Sequence, residues 1–146
     1  MPLIEQKTTI QRPIFDVFRL ATDFERMREW QPDLLEVSLT SANPLRPGTM
    51  ISMRRRFMGR IISLNADVLD FQRSKSLEIQ GVHGSFPFRR IIEFSSSARE
   101  TVISDRYNVR AGWFYFWYTP FFSRALKAQT SAEWKKIKQF LESGGM

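Results

Sequence analysis

Three charged residues fall on strand faces that are otherwise apolar, and residues of these types could together bind an anion. Arg55 and Arg90 each occupy such a position on a separate predicted strand, and Asp105 does so on a third. A charge that faces an apolar interior is costly unless it is paired. These side chains could therefore pair with one another, or the two arginines could bind a ligand carboxylate in bidentate fashion. The alternative is a β-bulge that reverses their facing, or an open pocket mouth where they meet water.

One histidine, His83, and the absence of cysteine narrow the chemistry further. Disulfides cannot form, and both cysteine-rich zinc sites and metal sites that need two histidines are excluded. Cys-His catalysis is excluded as well, and a Ser-His-Asp triad would have to use His83 as its base. The simpler interpretation is an ordinary histidine at a strand end. We therefore assign no catalytic residue, metal ligand or cofactor from the sequence.

An aromatic segment, Trp113–Tyr118, follows Gly112 and contains six aromatic residues in succession. Alternation along a strand would direct half of them outward. One hypothesis is a hydrophobic lip that contacts a membrane surface or a partner, because Trp and Tyr favour such interfaces and a positive net charge assists at anionic lipid. The other is that the segment packs under neighbouring helices or forms a dimer contact.

The elements that must position these residues are mainly strands. Apolar residues recur at every second position in one strand after another, which is typical of half-buried strands. The predicted strands are Leu3–Ile10, 35–39, Thr49–Met58, 62–68, 77–81, 86–94 and 101–109. The short connections between the last six of them predict an antiparallel meander.

Helices are predicted at both ends of the meander. Pro13 begins a short helix and Asp23 a second one, while Thr119 and Pro120 begin a long helix that runs to about Ser143. An apolar stripe on the long helix consists of Phe122, Leu126, Thr130, Trp134, Ile137 and Leu141. A sheet with one apolar face must be covered, so the long helix is expected to pack across it. The predicted fold class is α+β, with a seven-stranded curved antiparallel sheet.

The composition fits one domain of ordinary size, residues 1–146, and 42% of the residues are hydrophobic. Lys and Arg number 22 against 15 Asp and Glu, a net charge of +7. That balance indicates either attraction to anions or simply a basic surface. The basic run Arg54–Arg56 suggests nucleic acid as a partner. No nucleic-acid-binding motif accompanies the run, so this partner is not expected.

The location is expected to be cytoplasmic. The stretch 1–7 has no basic region followed by an apolar run, as a signal peptide would. The longest apolar run, 111–122, is too short to span a bilayer, and Pro120 interrupts it.

Several local motifs occur in an order that resembles a known family. They are Arg12-Pro13 followed by Val17-Phe18, Asp23 with Trp30-Gln31-Pro32, Pro47-Gly48 before a strand, Gly59-Arg60 at a hairpin, and a closing helix with Leu126, Ile137-Lys138 and Leu141-Glu142. Over nearly its whole length the chain resembles the START/Bet v 1-like superfamily, specifically the SRPBCC group called polyketide cyclase/dehydrase-like. The resemblance implies the helix-grip fold around a hydrophobic cavity. Members include lipid and hormone carriers and aromatase/cyclases, so the fold leaves the function open.

Three functions are open on this basis. The first is binding of a hydrophobic or amphipathic small molecule, such as a lipid or polyketide, between the sheet and the long helix. The predicted ligand-binding residues are Trp30, Met53, Arg55, Phe57, Phe88, Arg90, Ile103, Asp105, Tyr107, Phe122 and Leu126. The second is a cyclase or dehydratase with Asp105 as base and Tyr107, Arg55 or Arg90 as donors. The third is an interaction protein whose cavity is filled by its own aromatic side chains.

Overall fold

The computed structural model describes residues 3–31, 33–40, 45–84, 86–110 and 119–144, without the side chains of Leu3, Glu25 and Thr119. The strands are β1 (Leu3–Ile10), β2 (Leu34–Leu39), β3 (Met50–Phe57), β4 (Arg60–Gln72), β5 (Ser76–His83), β6 (Phe86–Ser97) and β7 (Glu100–Val109). The helices are α1 (Ile14–Thr22), a 3-10 helix (Phe24–Glu29) and α2 (Thr119–Glu142). The aromatic segment Trp113–Tyr118, and with it the predicted membrane contact, lies outside the described residues.

The described strands form one antiparallel sheet in the order β1-β7-β6-β5-β4-β3-β2. Strands β2 to β7 follow one another as adjacent hairpins, which confirms the predicted meander. Strand β1 pairs with β7 and so forms the opposite edge of the sheet. With α2 added across one face, the predicted α+β helix-grip architecture is confirmed.

The apolar face of the sheet follows the alternation in the sequence, apart from local bulges. In β3 buried and exposed residues alternate without interruption, as expected for a strand with one face in the core. In β2 the pairing register shifts between Leu34 and Glu36, so Leu34 is buried and Leu35 falls within the bulge. The remainder of that strand follows the prediction, because Val37 and Leu39 still pack against the core.

A glycine permits close approach of two strands in the middle of the sheet. A Cβ atom at Gly81 would overlap the backbone oxygen of Asn65 and would lie 2.6 Å from the Cα of Ala66. Such contacts cannot be relieved by rotating a side chain, because the obstructing atoms belong to the backbone. Gly81 therefore allows β5 to lie tightly against β4 where they curve around the core.

Helix α2 covers the inner face of the sheet along 24 residues. The predicted stripe from Phe122 to Leu141 is buried throughout, and Glu133 is buried with it. The last turn is held to the start of the chain, since Arg12 donates from Nη1 to the carbonyl of Leu141 at 2.6 Å and Lys138 donates to the carbonyl of Thr9 at 2.5 Å. The helix is therefore secured at its C-terminal end by polar contacts as well as by its apolar stripe.

The short helices close one side of the core. Phe18 of α1 packs edge-on against Phe94 of β6 with 4.9 Å between ring centroids. The 3-10 helix contributes Phe24 and Met27 to the core and is followed by buried Trp30. None of the helices in the described ranges is long and apolar enough to cross a membrane.

Candidate functional site

The candidate site is the interface between the inner face of the sheet and the helices. Every residue predicted to bind a ligand lies there: Trp30, Met53, Arg55, Phe57, Phe88, Arg90, Ile103, Asp105, Tyr107, Phe122 and Leu126. All are buried except Arg90, whose side chain is 13% exposed. The three charged residues therefore face inward, and no bulge in the described strands reverses them. Contact of these side chains with a ligand stays a prediction.

Arg90 and Asp105 form a buried ion pair across β6 and β7. Arg90 donates from Nε to Asp105 Oδ1 at 2.9 Å and from Nη2 to Oδ2 at 2.6 Å, a bidentate arrangement. Trp134 of α2 donates from Nε1 to the same Oδ2 at 2.8 Å. The guanidinium carbon lies 4.5 Å from the ring centroid of Tyr107. We call these four residues the Arg90 cluster.

The electrostatics of the Arg90 cluster keep its arginine charged and its tyrosine neutral. Burial by itself would lower the pKa of Arg90, but Asp105, together with Tyr107 and Glu133, outweighs burial and raises it. Burial raises the pKa of Tyr107 to about 12, against an opposing effect from Arg90. Tyr107 therefore keeps its proton at neutral pH, and both oxygens of Asp105 are occupied by donors.

Arg55 is paired with α2 instead of with Asp105. Its Nη2 donates to Glu133 Oε1 at 2.6 Å and also to Gln129 Oε1. Gln129 in turn donates from Nε2 to the carbonyl of Arg56 at 2.9 Å and to Asp33 Oδ2 at 3.2 Å. Arg55, Gln129 and Glu133 form what we call the Arg55 cluster, which joins β3 to the helix.

The sequence analysis missed the helix partners of both clusters. Glu133 and Gln129 were not predicted, and Trp134 was assigned only an apolar role. The signal for Glu133 is its spacing, because it lies three residues after Thr130 and four before Ile137, which places it on the buried stripe. A charged residue at such a position predicts a partner of opposite charge on the facing sheet.

His83 lies at the end of β5 and is surrounded by aromatic rings. The centroid of its imidazole is 4.6 Å from Phe57 and 5.5 Å from Phe122, both edge to face. Phe122 also packs on Phe86 at 4.5 Å. Only 2% of His83 is exposed, and neither of its ring nitrogens has a hydrogen-bond partner among the described residues. We call these four residues the His83 cluster.

The surroundings of His83 hold it neutral. Burial lowers its pKa to about 3, and the positive charge of Arg55 acts in the same direction, while a weaker interaction with its own backbone opposes them. A neutral imidazole has one N–H donor and one acceptor nitrogen. The ring is therefore equipped to bind a group that both donates and accepts, such as a hydroxyl, and is a weak base near neutral pH.

Other buried polar atoms at this interface also lack partners within the described structure. They are Trp30 Nε1, Gln31 Oε1, Arg55 Nε and Thr130 Oγ1. A buried polar atom without a partner costs about 1–3 kcal/mol, and native proteins contain few of them. The interface between the sheet and the helices is therefore unusual in the number of buried polar atoms that lack a hydrogen-bond partner among the described residues.

The space enclosed at the interface by described residues is small. A cavity of about 20 Å³ is bordered by Trp30, Gln31, Arg90 and Trp134 together with apolar side chains. That volume suits a single water molecule or the hydroxyl of a larger molecule. Large apolar side chains such as Phe88, Phe94 and Phe122 fill the surrounding core.

On the outer face of the sheet, basic residues that suggested nucleic acid are paired. Arg54 contacts Glu36, with 3.3 Å between Nη1 and Oε1, and Arg89 contacts Glu78. Both pairs reduce the positive potential of this face. The prediction that nucleic acid is not a partner remains untested.

A long helix laid across a curved seven-stranded sheet, with a buried and partly polar interface between them, defines the class of helix-grip proteins. The chain belongs to the family described as polyketide cyclase / dehydrase and lipid transport, whose model matches residues 1–142. This confirms the family resemblance seen in the sequence. The sequence search found no match among curated proteins.

Solved structures with the same fold differ widely from this chain in sequence. A protein from Thermus thermophilus has a TM-score of 0.80 at 13% identity, covering 94% of this chain and 95% of its own. The ZhuI aromatase/cyclase from Streptomyces sp. R1128 has a TM-score of 0.79 at 12% identity, with 99% of each chain covered. A START superfamily protein from Mycobacterium smegmatis has a TM-score of 0.78 at 11% identity, with 97% of each covered. At these identities the likeness establishes the fold alone.

Proposed function

We propose that the protein binds a hydrophobic or amphipathic small molecule, such as a lipid or polyketide, between the inner face of the sheet and α2. The observation that carries this proposal is His83, a buried neutral imidazole whose two nitrogens are unsatisfied within the described structure and lie among aromatic rings. A ligand hydroxyl or carbonyl at this place would recover the free energy that the unsatisfied nitrogens cost. The family description, which includes lipid transport, supports the same class of ligand.

The apolar and polar parts of the interface would have separate roles in binding. Burial of apolar surface against side chains such as Met53, Phe57 and Leu126 would supply most of the affinity, at about 25 cal/mol per Å². His83 would orient the ligand through one or two hydrogen bonds. The Arg90 and Arg55 clusters would hold α2 over the sheet, since each joins a strand to that helix.

The described part of the interior sets a condition on this proposal. The cavity of about 20 Å³ that described residues enclose cannot hold a lipid or polyketide by itself, so a ligand would need further space at the interface. The same observation favours a second candidate, an interaction protein whose interior is filled by its own side chains. Co-purification of a ligand separates the two candidates.

A cyclase or dehydratase finds less support in the geometry. Such an enzyme needs a base beside its substrate. Asp105, the base suggested by the sequence, accepts hydrogen bonds on both oxygens from Arg90 and Trp134. His83 has a pKa of about 3, far below the range of an efficient base near neutral pH.

The test is native mass spectrometry of the purified protein, followed by solvent extraction and identification of any bound molecule. We expect a species heavier than the bare chain by one small apolar molecule. Occupancy should fall in His83→Phe, which removes both nitrogens, and should be unchanged in Ser52→Ala on the exposed outer face. Melting curves of both variants verify that they fold.

Two results would count against the proposal. One is a bare chain that also shows no thermal shift with fatty acids or hydroxylated polycyclic aromatics, which favours the filled-interior candidate. The other is a bound molecule whose occupancy is the same in His83→Phe as in the unaltered protein, which removes the role assigned to His83.

A further inference from the structure

A second site is suggested by a groove on the outside of the fold, between α1 and the turn that joins β4 to β5. The groove has a volume of about 360 Å³, within the range of small-molecule sites. Phe15, Phe18 and Phe71 line it, and Arg19 and Arg73 border it. We call it the Phe15 groove. It lies apart from the interface between the sheet and α2.

The floor of the Phe15 groove is a continuous aromatic surface. The rings of Phe18 and Phe71 are in contact, with 5.3 Å between centroids. Phe15, one turn earlier on α1, is 55% exposed, whereas Val17 and Phe18 of the same helix are buried. An aromatic ring left this exposed beside other rings gains free energy when a flat apolar molecule covers it.

The rim of the groove is cationic. The guanidinium carbon of Arg19 lies 5.8 Å from the ring centroid of Phe15, and Arg73 projects from the facing turn. Within the described part of the chain, neither arginine forms a salt bridge.

One acidic residue, Asp23, also borders the Phe15 groove. Arg19 and Arg73 have no salt bridge to an acidic residue among the residues that the structure describes. Two arginines against one aspartate give the groove a net positive charge, which favours an anion.

We propose that the Phe15 groove binds a small hydrophobic anion, namely an aromatic or short aliphatic carboxylate. The apolar body would lie on Phe15 and Phe71, and the carboxylate would be held between Arg19 and Arg73. Arginine suits this purpose because its planar guanidinium donates two parallel hydrogen bonds to a carboxylate. The proposal does not depend on a ligand inside the fold.

The test is a calorimetric titration of the full chain with 2-naphthoate at low salt, with 2-naphthamide as the uncharged counterpart. We expect 2-naphthoate to bind and the amide to bind at least about tenfold more weakly, because it lacks the charge that the arginines recognise. Arg73→Gln and Phe15→Ser should each weaken 2-naphthoate binding by about tenfold. Arg60→Gln, which removes the same charge from the opposite end of β4, should leave binding unchanged.

Each other outcome overturns the proposal. If 2-naphthoate does not bind, or the amide binds equally well, the groove is not an anion site. If Arg60→Gln weakens binding as much as Arg73→Gln, the attraction comes only from the net charge. If His83→Phe abolishes binding while Phe15→Ser does not, the molecule enters the interior, and the proposed function then stands without this second site.

Discussion

The Arg90 cluster and the His83 cluster lie at the same interface between the sheet and the helix, yet they differ in how their polar atoms are satisfied. In the Arg90 cluster, Asp105 accepts hydrogen bonds on both carboxylate oxygens, two from Arg90 and one from Trp134. In the His83 cluster the imidazole ring packs against aromatic rings, and neither of its nitrogens has a hydrogen-bond partner among the described residues. Both carboxylate oxygens of Asp105 therefore have donors within the protein, whereas both imidazole nitrogens of His83 lack partners among the described residues.

The difference shows that an inward-facing charge predicted from the sequence can be paired with other side chains within the protein. The charges that stood out in the sequence are engaged in holding α2 to the sheet, so a ligand would have to displace a partner to reach them. The histidine, which appeared ordinary in the sequence, has both nitrogens open to a partner within the described structure. The proposed function therefore rests on the unsatisfied nitrogens of His83 and not on the buried charges.

The largest effect is expected from breaking the Arg90 cluster. Asp105→Ala removes the partner of a buried guanidinium and leaves Trp134 Nε1 without an acceptor, so the free energy of unfolding should fall by about 3–5 kcal/mol. Urea denaturation measures the loss. The matched control is Glu36→Ala, which breaks the exposed pair with Arg54 and should cost less than about 1 kcal/mol. Equal losses in the two variants would show that burial does not distinguish these pairs.

A double replacement tests whether the loss of stability in Asp105→Ala comes from leaving the Arg90 guanidinium unpaired. In Arg90→Met combined with Asp105→Leu, no charge is left in the Arg90 cluster, so most of the loss seen in Asp105→Ala should be recovered. Urea denaturation of the double variant and of both single variants completes a double-mutant cycle. A double variant as unstable as Asp105→Ala would mean that the ion pair itself, and not the avoidance of an unpaired charge, stabilises the fold.

The His83 cluster should make stability depend on pH. The pKa of His83 is about 3 in the folded protein and 6.5 when unperturbed, so between these values the unfolded chain binds more protons and stability decreases as pH falls. From pH 7 to pH 5 the expected loss is about 2 kcal/mol. Denaturation of the unaltered protein and of His83→Phe at both pH values isolates this contribution, because other groups titrate alike in the two. Parallel pH curves would rule out a neutral buried imidazole.

A smaller effect is expected at Thr130, whose hydroxyl is buried on α2 without a partner among the described residues. Thr130→Val keeps the shape of the side chain and removes the unsatisfied oxygen, so unfolding should require about 1 kcal/mol more. Ser52→Ala on the exposed outer face serves as the control and should change stability by less than about 0.5 kcal/mol. A destabilised Thr130→Val would indicate that the hydroxyl has a partner in solution.

Much of the fold could be predicted from the sequence. Period-two alternation located the strands, and the spacing from Phe122 to Leu141 identified the buried face of α2, because both patterns follow from local backbone geometry. The bulge at Leu35 could not be predicted, since an extra residue in one strand is defined only by the partner strand opposite it.

The candidate site was predictable only in part. The inward facing of Arg55, Arg90 and Asp105 followed from alternation, but Arg55 pairs with Glu133 across 78 positions of sequence. Such pairing depends on the height at which α2 crosses the sheet, which no local pattern specifies. The isolation of His83 likewise depends on which rings are brought around it from β3, β6 and α2.

The sequence by itself determined the α+β class, the order of the elements, the family and the set of residues that face inward, because alternation, helical spacing and turn residues act over short distances along the chain. The tertiary structure alone decided which inward charges neutralise one another, which polar atoms are left unsatisfied, and that aromatic rings and arginines meet at the Phe15 groove. These outcomes depend on distances of a few ångströms between side chains far apart in sequence. They arise only when the helices are packed against the sheet.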